Sequence, residues 1–148
     1  MIFNDAGLKL IREFEGCALK SYQDQAGIWT CGWGTTGKDI GPDTQWTQEE
    51  ADERLDAHIQ EVCKEVLALL VNQNLSANQF SALVCFTYNV GCGNLKQSTL
   101  LHCINTYHID DAANEFEKWD KCAGVVNAGL VRRRQAERDL FLASHQRQ

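Results

Sequence analysis

Leu19-Lys20-Ser21-Tyr22-Gln23-Asp24-Gln25-Ala26-Gly27-Ile28-Trp29-Thr30-Cys31-Gly32-Trp33-Gly34-Thr35-Thr36 interrupts a chain whose other signals are helical. In this stretch β-prone residues alternate with turn residues. Tyr22 precedes the turn cluster Asp24-Gln25-Ala26-Gly27, and Ile28-Trp29-Thr30 leads into Gly32 and Gly34. Such a pattern predicts a β-hairpin or a small meander.

Helices are expected on both sides. Asp5 precedes a run with Leu8, Ile11 and Phe14 on one face, predicting a short helix to about Glu13. Thr47 and Glu50 have capping-box spacing, and Ala51, Leu55, Ile59, Val62 and Val66 follow at steps of three and four, to about Leu70. Ser76 and Gln79 form a second capping box, leading Phe80, Leu83, Val84 and Tyr88 to a stop at Asn89-Val90-Gly91. Segments 98–107, 110–121 and 130–143 also read as helices, punctuated by Gly124 and Gly129. Strand signals gathered between helices, without βαβ alternation, make the class α+β. One domain over 1–148 is expected, with a β-rich lobe at about 15–46 and a helical lobe at about 47–148.

With 14 Lys and Arg against 20 Asp and Glu, the formal charge is −6. A net-acidic chain does not suit nucleic acid, where phosphates must meet clustered cations, and Arg132-Arg133-Arg134 is too short a run to reverse this. No membrane span is expected either. The longest apolar run, Val66-Leu67-Ala68-Leu69-Leu70-Val71, is far shorter than the ~20 residues a spanning helix requires. Met1-Ile2-Phe3-Asn4-Asp5 lacks the features of a secretory signal, so folding in the cytoplasm is expected. The cysteines at 17, 31, 63, 85, 92, 103 and 122, odd in number, read as reduced thiols. No pair has Cys-x-x-Cys spacing, and the histidines never fall at His-x-x-x-His, so no metal and no cofactor are expected.

Reactive groups concentrate around the hairpin. Glu15 closes the first helix beside Gly16, Asp24 sits at the turn, and Thr30 lies on the second strand. Eight residues separate the first two, and five the second two. Spacing alone gives this trio little weight, since a turn Asp and a strand Thr are ordinary. The surrounding sequence gives it more. Phe14-Glu15-Gly16, Ser21-Tyr22-Gln23-Asp24 and Trp29-Thr30-Cys31-Gly32-Trp33-Gly34-Thr35 together resemble the active-site hairpin of phage-type lysozymes, the glycoside hydrolase family 24 endolysins of T-even and lambdoid phages. The family's pattern of Glu, eight residues, Asp or Cys, five residues and Thr is matched position for position. Phe86-Thr87-Tyr88-Asn89-Val90-Gly91 and the segment Gly129 to Arg138 extend the resemblance over essentially the whole chain.

The resemblance implies a lysozyme-like fold with a cleft between its lobes and hydrolysis of the β-1,4 bond between N-acetylmuramic acid and N-acetylglucosamine. Glu15 would be the general acid, keeping its proton near neutrality. Asp24 would stay ionised and take a proton from, or orient, the attacking water, which the Thr30 hydroxyl would hold. The family pattern suggests inversion, which requires carboxyls ~6.5–9.5 Å apart. Tyr88, Asn89 and Ser98 fall where the family lines its saccharide site, although a core aromatic, a helix C-cap and an N-cap explain them equally. One of Arg132, Arg133 and Arg134 would pair with the acid; Arg133 is favoured, and the other two are expected on a solvated face or against anionic wall polymer. Glu13 points about 200° from Glu15 on a helix and is expected to be solvated. Trp33 is expected to pack rather than to stack on sugar.

Two other functions remain open. A lytic transglycosylase would use the same acid but needs no Asp-Thr water site. A catalytically dead glycan-binding or immunity module should have lost one of the three positions, and none is lost. The expected life cycle is that of a monomer made in the host cytoplasm, released by a separate holin-type membrane protein and acting on peptidoglycan glycan strands.

Overall fold

The computed structural model describes residues 1–143. The elements run α1 (Asp5–Glu15), β1 (Ala18–Gln23), β2 (Trp29–Gly32), β3 (Thr35–Thr36), α2 (Gln48–Leu69), α3 (Ala77–Val90), α4 (Cys92–Gln97), α5 (Thr99–Asn105), α6 (Ile109–Ala113), a 3-10 turn (Phe116–Lys118), β4 (Lys121–Cys122), β5 (Val125–Val126) and α7 (Ala128–Leu142). Helices with small antiparallel sheets make the α+β class expected from the sequence. The chain forms two compact units, residues 12–61 and residues 1–11 with 62 onward.

In the 12–61 unit, β1, β2 and β3 form an antiparallel sheet in chain order. Tyr22 stands opposite Thr30, and Thr30 opposite Thr36, with a bulge between Ala18 and Tyr22. The free edge of β1 is covered by the segment before α2. Trp46 N–H donates to the Leu19 carbonyl at 2.8 Å and Ser21 N–H to the Thr44 carbonyl at 2.9 Å. This pairing removes the exposed edge that would invite aggregation. Cys31, Ile40, Ala51, Leu55 and Ile59 are the buried apolar residues of this unit.

The other unit is built on α3. Every residue from Gln79 to Tyr88 is buried, as expected of a helix apolar on nearly all faces. Both halves of the predicted capping box are made: Gln79 N–H donates to Ser76 Oγ, and Ser76 N–H donates to Gln79 Oε1, each at 3.0 Å. Phe86 meets Phe116 and Trp119 edge-on, with centroids 5.6 and 5.5 Å apart, the geometry favoured by ring quadrupoles.

The helix expected over 110–121 is three pieces. It stops at Ala113, makes a 3-10 turn and gives way to the β4–β5 hairpin. At the hairpin tip Ala123 and Gly124 both have positive φ, 51° and 81°. That is the requirement of a tight two-residue turn, but Ala-Gly lacks the Asn-Gly or Asp-Gly signature that announces one. All seven cysteines are thiols outside any disulfide. Cys85 behaves as a small core residue, its Sγ 3.2 Å from the Gly7 carbonyl it donates to, and burial pushes its thiol far above the ordinary range.

Charge is also buried in this unit. Glu137 is fully buried and shared by Arg133 Nε at 3.1 Å and Arg134 Nε at 3.0 Å. Arg133 donates to the Cys85 carbonyl at 3.0 Å, and the Arg134 guanidinium lies 5.0 Å from the Phe86 ring centroid. The expectation of a solvated Arg134 is therefore corrected. A three-residue arginine run on a helix spans about 200°, so it cannot all stay on one solvent face; Arg132 is exposed, and Arg133 and Arg134 are buried. Glu137→Leu should cost about 3–5 kcal/mol, because two buried cations lose the anion they share. Urea unfolding midpoints test this, with Asp39→Asn as the contrast. Asp39 pairs with Arg54 at 2.8 Å in solvent, and its loss should not move the midpoint measurably.

Candidate active site

Three sequence-predicted residues, Glu15, Asp24 and Thr30, fall within the 12–61 unit. Asp24 occupies the β1–β2 turn, where Gln23 is the last residue of β1. Its Oδ1 accepts the backbone N–H of Ala26 at 2.8 Å and of Ile28 at 2.9 Å. Its own backbone closes the turn, receiving Gly27 N–H and donating to the Ile28 carbonyl, both at 2.9 Å. The carboxylate is thus fixed by its own loop, as short Asp side chains do in turns. It is exposed to solvent, and no described residue donates to its Oδ2.

Thr30 is buried at 4% exposure. Its hydroxyl donates to the Ile28 carbonyl at 3.0 Å. A hydroxyl has one proton, so Oγ1 has only acceptor capacity left for anything else. Residues directly opposite in an antiparallel pair share a face, which puts Tyr22 beside Thr30. The Tyr22 phenol is raised above its ordinary range, first by burial and then by the negative charges of Glu15 and Asp24. Tyr22 therefore lies within electrostatic reach of both carboxylates. Its position opposite Thr30 is the signal that could have found it, once the hairpin register was set.

Glu15 ends α1 half-buried, while Glu13 is exposed as expected. The Glu15 carboxylate lies over the β2–β3 turn: a Cβ built at Gly34 would collide with Glu15 Oε1. Gly34 also has φ of 80°, so both backbone and neighbour require glycine there. Gly34→Ala should cost about 1 kcal/mol in backbone strain. It should also cut activity at least tenfold by displacing the carboxylate. Gly124→Ala is the control, with φ of 81° and open space around the new methyl; melting should fall similarly while activity persists. Equal activity in the two variants would refute the Glu15 contact as the reason for glycine at 34.

Trp33 packs as expected. Its Nε1 donates to Asp52 Oδ1 at 2.8 Å, and the Arg12 guanidinium lies 5.4 Å from its ring centroid. That indole bond, with a second from Gln48, holds the Asp52 carboxyl below the usual range.

Tyr88, Asn89, Ser98 and Arg133 belong to the other unit. Tyr88 is buried. Ser98 caps α5, its Oγ accepting Leu101 N–H at 3.0 Å and donating to the Leu95 carbonyl at 2.7 Å. Asn89 is exposed, and its Oδ1 accepts from Arg134 Nη2 at 2.6 Å. Arg134, expected on a solvated face or against wall polymer, thus orients the amide.

The phage lysozyme family model matches residues 12–137, a span that includes the hairpin and most of α7. The chain belongs to the phage lysozyme family. The endolysin of Bacillus phage B103 is 43% identical over 144 residues, covering 96% of this chain and 54% of that relative. This phage lysozyme-family chain therefore spans about half that relative's length. The muramidase domain of SpmX from Asticaccaulis excentricus superposes with a TM-score of 0.87 at 33% identity, over 95% of this chain and 97% of that one. The endolysin from Escherichia coli O157:H7 phage FAHEc1 gives 0.86 at 32% identity, over 100% and 98%.

Proposed function

We propose that this chain is a peptidoglycan hydrolase, a muramidase of the endolysin type that cleaves the β-1,4 bond between N-acetylmuramic acid and N-acetylglucosamine. The observation that supports this reading is that one small sheet gathers all three residues: Asp24 sits at the β1–β2 turn, Thr30 on β2, and the Glu15 carboxylate over the β2–β3 turn. Glu15 gives its proton to the glycosidic oxygen as the bond to the muramoyl anomeric carbon breaks. A water attacks that carbon from the opposite side. One of its protons goes to Asp24 Oδ2; the other stays on the oxygen that becomes the new hydroxyl and is hydrogen-bonded to Thr30 Oγ1, whose own proton is committed to Ile28. Both lone pairs of the water are then free for the sugar. Proton exchange with solvent resets both carboxyls. Asn89, held by Arg134, contributes to saccharide binding.

Among the described residues no helix is long and apolar enough to cross a membrane. We propose that the chain acts as a monomer, and that a holin-type protein releases it from the host cytoplasm to the wall. Expression inside a host should then leave cells intact until the membrane is permeabilised.

Mass spectrometry of digested peptidoglycan tests the reaction. Hydrolysis leaves a reducing muramic acid end. An anhydro end would assign the chain to the transglycosylases, where the muramoyl hydroxyl replaces water.

A further inference from the structure

A groove lies on the unit that contains α3, away from the hairpin residues in sequence. It has a volume of about 690 Å³ and lies between the α2–α3 connection and the α5–α6 connection. That volume is in the range of small-ligand sites. Its lining includes Gln73, Asn74, Gln79, Tyr107 and Asp110, and among the described residues it includes no Lys, Arg or His.

Tyr107 is the unusual member. It is 59% exposed and has φ of 65°. The backbone around it is a Schellman stop to α5: Tyr107 N–H donates to the Ile104 carbonyl at 3.1 Å and His108 N–H to the Cys103 carbonyl at 2.8 Å. Tyr107 holds the left-handed position that glycine normally fills in this motif. A large aromatic there pays for its backbone and gains little burial in return. Such local violations mark places where a side chain is kept for what it touches.

Around the ring, amide groups remain available. Gln73 uses its Nε2 on the Leu70 carbonyl, which leaves its Oε1 as an acceptor, whereas Gln79 is buried in its capping box and serves as floor. The exposed Asn74 side chain and the Asp110 carboxylate complete the set. An exposed phenol ring beside amide donors and acceptors matches an N-acetylhexosamine. Its apolar ring face stacks on tyrosine, and its acetamido and hydroxyl groups pair with amides and a carboxylate. The acidic stem peptides of the wall would instead require a cation, and the groove offers none.

We propose that this groove is an accessory glycan-binding site, which takes a neutral N-acetylhexosamine segment of the peptidoglycan strand and keeps the enzyme on its polymer between cleavages. The proposal rests on the glycan-hydrolase reading above, and its test is separable from the test of that reading. The Glu15→Gln variant of the 148-residue chain is titrated with tetra-N-acetylchitotetraose and followed by NMR. The side-chain amide signals of Gln73 and Asn74 and the backbone amide of Tyr107 should shift and saturate.

Tyr107→Gly should abolish those shifts without lowering the melting temperature, because glycine suits the left-handed position. Retention on intact sacculi in a pelleting assay should fall roughly 5- to 10-fold with loss of the stacking ring. Tyr107→Trp should keep both. Shifts confined to residues 24–30, no shifts at all, or groove shifts that survive Tyr107→Gly would each overturn the accessory site. None of these bears on the product analysis that judges the hydrolase reading.

Discussion

Glu15→Gln should lower the rate of sacculus lysis by about 10²–10⁴-fold, the usual contribution of a positioned general acid. Glutamine preserves size and polarity but has no proton to give the leaving oxygen. The side chain sits half-buried over the Gly34 turn, so an isosteric replacement should not disturb the fold. Melting should stay close to that of the parent or rise, because catalytic groups are rarely chosen for stability. Turbidity clearing of outer-membrane-permeabilised cells and a thermal melt measure the two quantities. Glu13→Gln is the matched control. Glu13 is exposed on the opposite side of α1, and its variant should clear cells at the parental rate. Near-parental lysis by Glu15→Gln would remove Glu15 from the role of acid.

Thr30→Glu should abolish normal turnover and load sugar onto the protein. Thr30 faces the same side of the sheet as Tyr22, on the strand that leaves the Asp24 turn. A carboxylate at position 30 displaces the water and reaches the anomeric carbon in its place. The new bond joins a carboxyl oxygen of the introduced side chain to that carbon as the glycosidic bond breaks, and Glu15 protonates the leaving oxygen. With the water site filled, the ester is not hydrolysed. Intact-protein mass spectrometry after exposure to peptidoglycan should show a stable glycosyl adduct, and peptide mapping should place it on residue 30. Because position 30 is buried, the variant should also melt below the parent. Unchanged turnover would mean that residue 30 does not face the scissile bond.

The elements legible in the sequence were those whose signals are local. Ser76 and Gln79 announce α3 because the capping box satisfies backbone groups within one turn. The 19–36 hairpin is visible because its turn residues and alternation lie within one short stretch. The β4–β5 hairpin was not legible, since Ala123 adopts positive φ without the residue type that normally signals it. The burial of Arg134 is hidden in the sequence for a different reason. Its burial depends on Glu137 three residues on and Phe86 on another helix, and a charge run carries no trace of either.

The same division holds at the candidate site. Glu15, Asp24 and Thr30 stand out through the resemblance of their surrounding sequence to the phage-type lysozymes, since their spacing alone carries little weight. Tyr22 stands out only once the pairing set by the 24–28 turn places it opposite Thr30. The need for glycine at 34 is not legible, since it comes from where the Glu15 side chain lies.

The central claim is that Asp24 and Thr30 direct a water, without covalent bonding to the sugar. The anomeric configuration of the first product tests it most directly. Proton NMR of a soluble peptidoglycan fragment, followed from the start of digestion, distinguishes the two anomers of the new reducing end before they interconvert. Attack by a water held opposite the leaving group turns the β-linkage into an α-anomer, and the α signal should therefore rise first. A β-anomer rising first would mean two displacements through a covalent intermediate, and would make Asp24 a nucleophile and not a base.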